Sequence, residues 1–173
     1  MLTVIGSSLG REQWAADSSK SVARQHIVVV SYGYELGKIR WVLDNTNADR
    51  FLFLQDSFVL KGDGLFDLLD KFDGSVALFS DPVPYGCYAG VFERSVLERV
   101  GVPEVTSKRD AVRLETDWTK RYVEAAGGVP VLFPNVRDEL GHMRFHNGRD
   151  NLVLENSFMT KYKGTWKEEQ LVT

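Results

Sequence analysis

Short apolar runs that stop at small polar residues recur along this chain, and stretches of helical composition separate them. Residues 2–5 run into Gly6-Ser7-Ser8, and residues 26–30 into Ser31-Tyr32-Gly33. Residues 76–79, 88–92 and 129–133 are further runs of this kind. Such runs predict strands, the most apolar of them buried on both faces of a mainly parallel sheet. Residues 11–24, 35–43, 65–69, 93–100 and 110–126 predict helices, with Gly101 and the Gly127-Gly128 pair as stop signals. The polar, aromatic-rich stretch from Asn135 onward gives no assignment. Strands alternating with helices predict an α/β sandwich, read here as one domain over residues 1–173.

The longest run, residues 51–60, reads as one strand. It is interrupted once, by Asp56 between Gln55 and Ser57. A carboxylate at the downstream end of so apolar a segment is costly unless something pairs with it, and a ligand or a metal is one such partner. The other reading is an acid that caps the next turn. In open α/β sheets ligands collect beyond the carboxyl ends of the strands. Right-handed crossovers would line up Ser7, Ser31 and Asp56 along that edge.

Composition narrows the classes. Hydrophobic residues make up 43% and charged residues 26%, ordinary values for a globular protein. The net charge of -3 lacks the basic footprint of phosphate-dominated binding, so nucleic acid is not an expected partner. One cysteine, Cys87, allows no intrachain disulfide and reads as core filler. The opening residues lack a signal-peptide pattern and no run reaches membrane-spanning length, which together predict a cytoplasmic protein without a membrane span.

Two acids, Glu115 and Asp117, sit on the longest helical segment. Helical phase places Ala111, Leu114, Trp118, Tyr122 and Ala125 on its apolar stripe, with Glu115 nearer the stripe than Asp117. A partly desolvated carboxylate binds its proton more tightly and makes a better general base at neutral pH. Both acids would also suit an early helical turn. His142 and His146 have the four-residue spacing of a zinc helix, but Met143 stands where the protease pattern needs Glu. His146 could complete a metal shell or touch a diphosphate, and Arg144 and Arg149 lie close by in sequence. The chain has neither the Gly-x-Gly-x-x-Gly fingerprint nor a Gly-Lys-Ser/Thr phosphate loop.

Three segments together resemble the GT-A glycosyltransferases, especially the large inverting family (glycosyltransferase family 2-like). Phe51-Leu52-Phe53-Leu54-Gln55-Asp56-Ser57 stands where those proteins carry an Asp-x-Asp-like motif. Tyr88-Ala89-Gly90-Val91-Phe92, followed by residues 93–101, is similar to their acceptor segment. Leu114-Glu115-Thr116-Asp117-Trp118-Thr119-Lys120-Arg121, then Gly127 and Val131-Leu132-Phe133-Pro134, is similar to their acidic helix and the strand that follows it. Here Gln55 and Ser57 replace the flanking acids, and Leu114 stands before Glu115 where an acid is usual.

The resemblance implies a GT-A (Rossmann-like) three-layer sandwich with a mostly parallel central sheet. The activity it implies is transfer of a sugar from a nucleoside diphosphate sugar, a UDP-sugar above others, to the hydroxyl of a glycan, protein or small molecule, with inversion. Glu115 takes the position of the base, with Asp117 beside it. Ser7, Tyr32, Lys38, Gln55, Asp56 and Ser57 fall to the donor, and Tyr88, Gly90 and Trp118 to the acceptor. Asp56 and His146 would hold a divalent cation, Mn²⁺ or Mg²⁺, through the depleted motif. Residues 135–173 are expected to fold over the donor site, and their removal to cost activity more than stability. A homo-oligomer would supply acceptor-binding surface that so short a chain lacks. The competing expectations are a catalytically silent nucleotide-sugar or carbohydrate-binding module and a nucleotidyltransferase. The latter is weakened because Gly6-Ser7-Ser8-Leu9-Gly10-Arg11 departs from the Gly-x-Gly-Thr-Arg loop.

Overall fold

Alternation along one central strand divides the interior in two. The computed structural model describes residues 1–30, 33–79, 89–134 and 152–162. Strand β3 (Arg50–Gln55) sends Phe51 and Phe53 into one core and Leu52 and Leu54 into the other, as the period of two in a strand requires. All four are fully buried. Each contributes roughly 1.5–3 kcal/mol of burial energy, which fixes the strand's register between two layers.

β3 lies inside a six-stranded sheet of order β2-β1-β3-β6-β5-β7. Its other members are β1 (Leu2–Ser7), β2 (His26–Val30), β5 (Val76–Phe79), β6 (Ala89–Glu93) and β7 (Val131–Phe133). β1 is parallel to β2 and to β3, and β5 is parallel to β7. β6 alone runs against its neighbours β3 and β5. The sheet is thus mixed and mostly parallel, within an α/β fold.

On one face pack α2 (Tyr34–Asn45), α4 (Arg94–Val100) and α5 (Lys108–Ala125), through Leu36, Ile39, Leu97, Trp118 and Tyr122. The start of α5 is set by Ser107, whose Oγ accepts the Asp110 N–H at 3.2 Å. The other face is covered by α3 (Gly64–Leu69) and by residues of a second, three-stranded sheet, with α1 (Glu12–Ser21) packed against β1. That sheet has the order β4-β9-β8, from β4 (Phe58–Leu60), β8 (Leu152–Glu155) and β9 (Met159–Tyr162).

The expected single strand over residues 51–60 is therefore two strands in two sheets. The Asp56 N–H donates to the Gly6 carbonyl at 2.9 Å, and beyond Asp56 the chain leaves β1 to pair with β9. A buried acid held by distant groups bends the chain there, which an apolar pattern alone does not register. No described helix is long and apolar enough to cross a membrane.

Candidate functional site

The break between β3 and β4 gathers a network of buried polar side chains at the carboxyl ends of β1 and β3. Asp56 is only 3% exposed. Its carboxylate accepts from Ser7 Oγ at 2.7 Å, from Arg11 Nε at 2.8 Å and from Arg11 Nη2 at 2.5 Å. Arg11 lies just before α1, and its guanidinium packs over the Trp14 ring, 5.2 Å from the centroid.

The neighbouring residues extend the network in two directions. Gln55 Nε2 donates to Glu35 Oε1 in the first turn of α2. The same amide's Oε1 accepts from Lys161 Nζ of β9 at 2.9 Å, and Lys161 also donates to Ser57 Oγ at 3.1 Å. Gln55 thus bridges an acid of the helical layer and an ammonium of the small sheet. Lys161 stands over the Phe58 ring at 4.5 Å. Burial pushes its pKa down to about 8; the charges of Glu35 and Asp56 act to raise it, and Arg11 adds to the lowering.

α2 reaches this edge through a tight entry. Gly33 has φ +85°, and a Cβ there would lie 3.1 Å from Gly37 Cα and 3.3 Å from the Val105 carbonyl oxygen. Tyr34 follows in the same left-handed region at φ 58°, a conformation that costs a non-glycine residue roughly 1–2 kcal/mol. The turn sets Glu35 in the first helical turn, where a negative charge suits the helix dipole. Lys38, one turn on, is buried against Gly6: a Cβ on Gly6 would lie 3.0 Å from Lys38 Cδ and 2.5 Å from Phe53 Cζ.

α5 supplies Glu115. This residue is half-buried, whereas Asp117 on the same helix is exposed. Burial raises the Glu115 pKa to about 9, and the charge of Glu35 and a hydrogen bond with it add to the rise, against the pull of Lys38. Glu115, hydrogen-bonded to Glu35, holds its proton at neutral pH.

The structure therefore brings Ser7, Lys38, Gln55, Asp56, Ser57 and Glu115 to one edge. Gly90 and Trp118 are built into the interior. Gly90 lies within β6 opposite Phe53 and Ala77. The Trp118 ring packs on Phe92 and Tyr122, and its indole N–H donates to the Gly101 carbonyl at 2.6 Å. Tyr32, Tyr88, Cys87 and the tail residues His142, Arg144, His146 and Arg149 lie outside the described residues. Arg11, Glu35 and Lys161 are members that sequence reasoning missed. Lys161 had a faint signal: it lies two residues beyond Met159 on a strand, hence on the same inward face.

At Asp56, the expected cation ligand, the described residues place other partners, and His146, the second expected ligand, lies outside the described residues. Arg11 and Ser7 engage the Asp56 carboxylate oxygens, and two further cations, Lys38 and Lys161, belong to the same cluster. Among the described residues no group of three or more His, Cys, Asp or Glu side chains is placed to hold a metal. Compared with known proteins, the chain is matched by no family model and by no curated sequence.

Proposed function

We propose that this chain is a small GT-A-type glycosyltransferase that moves a sugar from a nucleoside diphosphate sugar to an acceptor hydroxyl with inversion. The observation that carries this reading is Glu115. A proton-holding carboxyl group from α5 meets α2 at the sheet edge where Ser7 and Gln55 end their strands and Asp56 follows. That edge is the ligand crevice of open α/β sheets. The motif resemblance assigns the same residue to the base position, by analogy alone.

In this mechanism the donor's diphosphate lies over the carboxyl ends of β1 and β3. Ionised Glu115 takes the proton of the acceptor hydroxyl as its oxygen attacks the anomeric carbon. The bond from that carbon to the diphosphate oxygen breaks, and the leaving group keeps the electron pair. Because Glu115 holds its own proton to about pH 9, the ionised fraction, and with it the rate, grows toward that pH.

A thermal-shift screen of sugar nucleotides, followed by an assay of nucleoside diphosphate release with and without acceptors, tests the reading. A donor that raises the melting temperature and is turned over supports it. A screen in which no sugar nucleotide stabilises the protein overturns it.

A further inference from the structure

The fold invests in a buried ammonium that the proposed proton transfer does not use. Lys161 is 7% exposed; it donates to Gln55 and Ser57, and the charges of Glu35 and Asp56 act on it. Burial of a charged amine is costly, and a hydrophobic residue of similar length would pair as well within β9. Arg11 is the second cation on the same turn: it binds Asp56, and Lys161 binds the residues on either side.

Each of the two cations is held by an aromatic ring. Arg11 rests on Trp14, Lys161 rests on Phe58, and Trp14 meets Tyr162, the next residue after Lys161, edge to face at 6.2 Å between centroids. Aromatic faces orient a cation without consuming its charge. Formally, Arg11, Lys38 and Lys161 face the carboxylates of Asp56 and Glu35, while Glu115 keeps its proton at neutral pH, which leaves the cluster net positive.

We propose that Arg11 and Lys161 bind the diphosphate of the donor in the role a divalent cation would otherwise fill, so that nucleotide binding is independent of metal. The identity of the ligand as a nucleoside diphosphate rests on the glycosyltransferase reading; the anion site itself rests on the two cations. A diphosphate here meets a guanidinium and an ammonium, each already oriented by hydrogen bonds and a ring, in a cluster with one net positive charge. Such side chains also stabilise the charge that develops on the leaving group.

Lys161 gives the site a pH signature. The groups that face it are Glu35 of α2, Gln55 and Asp56 at the end of β3, Ser57 and Phe58 beyond the turn, and Arg11 before α1. With its pKa near 8, binding weakens about tenfold per pH unit above that value.

Calorimetry with UDP as the probe, in EDTA and then in Mn²⁺, tests the proposal on the full chain, with inorganic pyrophosphate in EDTA as a second probe. The expected result is binding of either probe in EDTA, a change of less than about threefold on adding Mn²⁺, and a loss of at least about tenfold in Lys161→Met and Arg11→Gln. Because Arg11→Gln leaves Asp56 buried without its partner, Lys161→Met is the deciding variant, and its pH dependence between 7 and 9 should be shallower than the wild type's. UDP binding that requires Mn²⁺, or a folded Lys161→Met that binds like the wild type with the same pH dependence, overturns the proposal and leaves the transferase reading standing. Metal-free binding without sugar transfer overturns the transferase reading alone, and no binding of either probe under any condition overturns both.

Discussion

Arg11 donates two hydrogen bonds to the Asp56 carboxylate across 45 residues of sequence, and by doing so closes the end of β3. Removing one partner of so buried a pair is more damaging than removing both. Arg11→Met should cost about 3 kcal/mol, and the double variant Arg11→Met/Asp56→Asn clearly less. Urea unfolding of the two single variants and the double variant measures the coupling. Additive losses would show that the pair contributes little.

Gly6 gives a test of packing beneath the site. A methyl group there would meet the tip of the Phe53 ring, buried and unable to retreat, and the stem of Lys38. Gly6→Ala should destabilise by about 1–3 kcal/mol, read from the urea midpoint, with a larger effect than Gly10→Ala on contact grounds. A methyl group on Gly10 would meet nothing within 4 Å, although the positive φ of that residue adds its own strain.

Glu115→Gln should lower the sugar-transfer rate by roughly 10²–10⁴-fold with little change in donor affinity, the range expected for loss of a general base. Asp117→Asn, at an exposed position, should do less. Steady-state kinetics with a donor and acceptor in hand separates the two. If the Asp117 variant is the inactive one, the base is misassigned.

The same residue predicts how stability responds to pH. Glu115 holds its proton to about pH 9 in the folded protein, while an unfolded glutamate releases it near the ordinary value of 4.5. Between those limits the folded state binds more protons, so this group's contribution to stability falls as pH rises. Thermal melts from pH 5 to pH 9 should show a decline that is shallower in Glu115→Gln. An unchanged slope would mean that burial and Glu35 do not shift this carboxyl group.

Deletion of residues 135–173 should unfold the protein rather than merely silence it. Met159 is fully buried in the core that holds Leu52, Leu54 and Phe66, and β9 is the partner of β4. Circular dichroism of the truncated chain checks this. A folded but inactive product would restore the expectation, drawn from sequence, that the tail matters more for activity than for stability.

Where patterns are local, the sequence was legible. Apolar runs located β1, β2 and β5, and a 3.6-residue period located α5 and the relative burial of Glu115 and Asp117. Strand ends located Ser7 and Asp56, which meet. Other features depend on distant partners. The break at Asp56 is made by Gly6 and Arg11, and the reversed direction of β6 is a matter of pairing rather than pattern. β8 and β9 are four-residue strands whose partners are each other and β4. Glu35 and Lys161 look like ordinary surface charges until those pairings bury them.

Gln55 and Lys161 meet although 106 positions separate them. Domains assemble from the amino terminus as the chain is made, and contacts of long sequence separation are closed late. The half of the cluster drawn from β1, α2 and β3 is therefore synthesised well before the ammonium that completes it. A nascent chain lacking β9 carries an uncapped β4 edge beside an acid-bearing turn, so site completion and protection of that edge from stray strand pairing are one late event in the protein's birth.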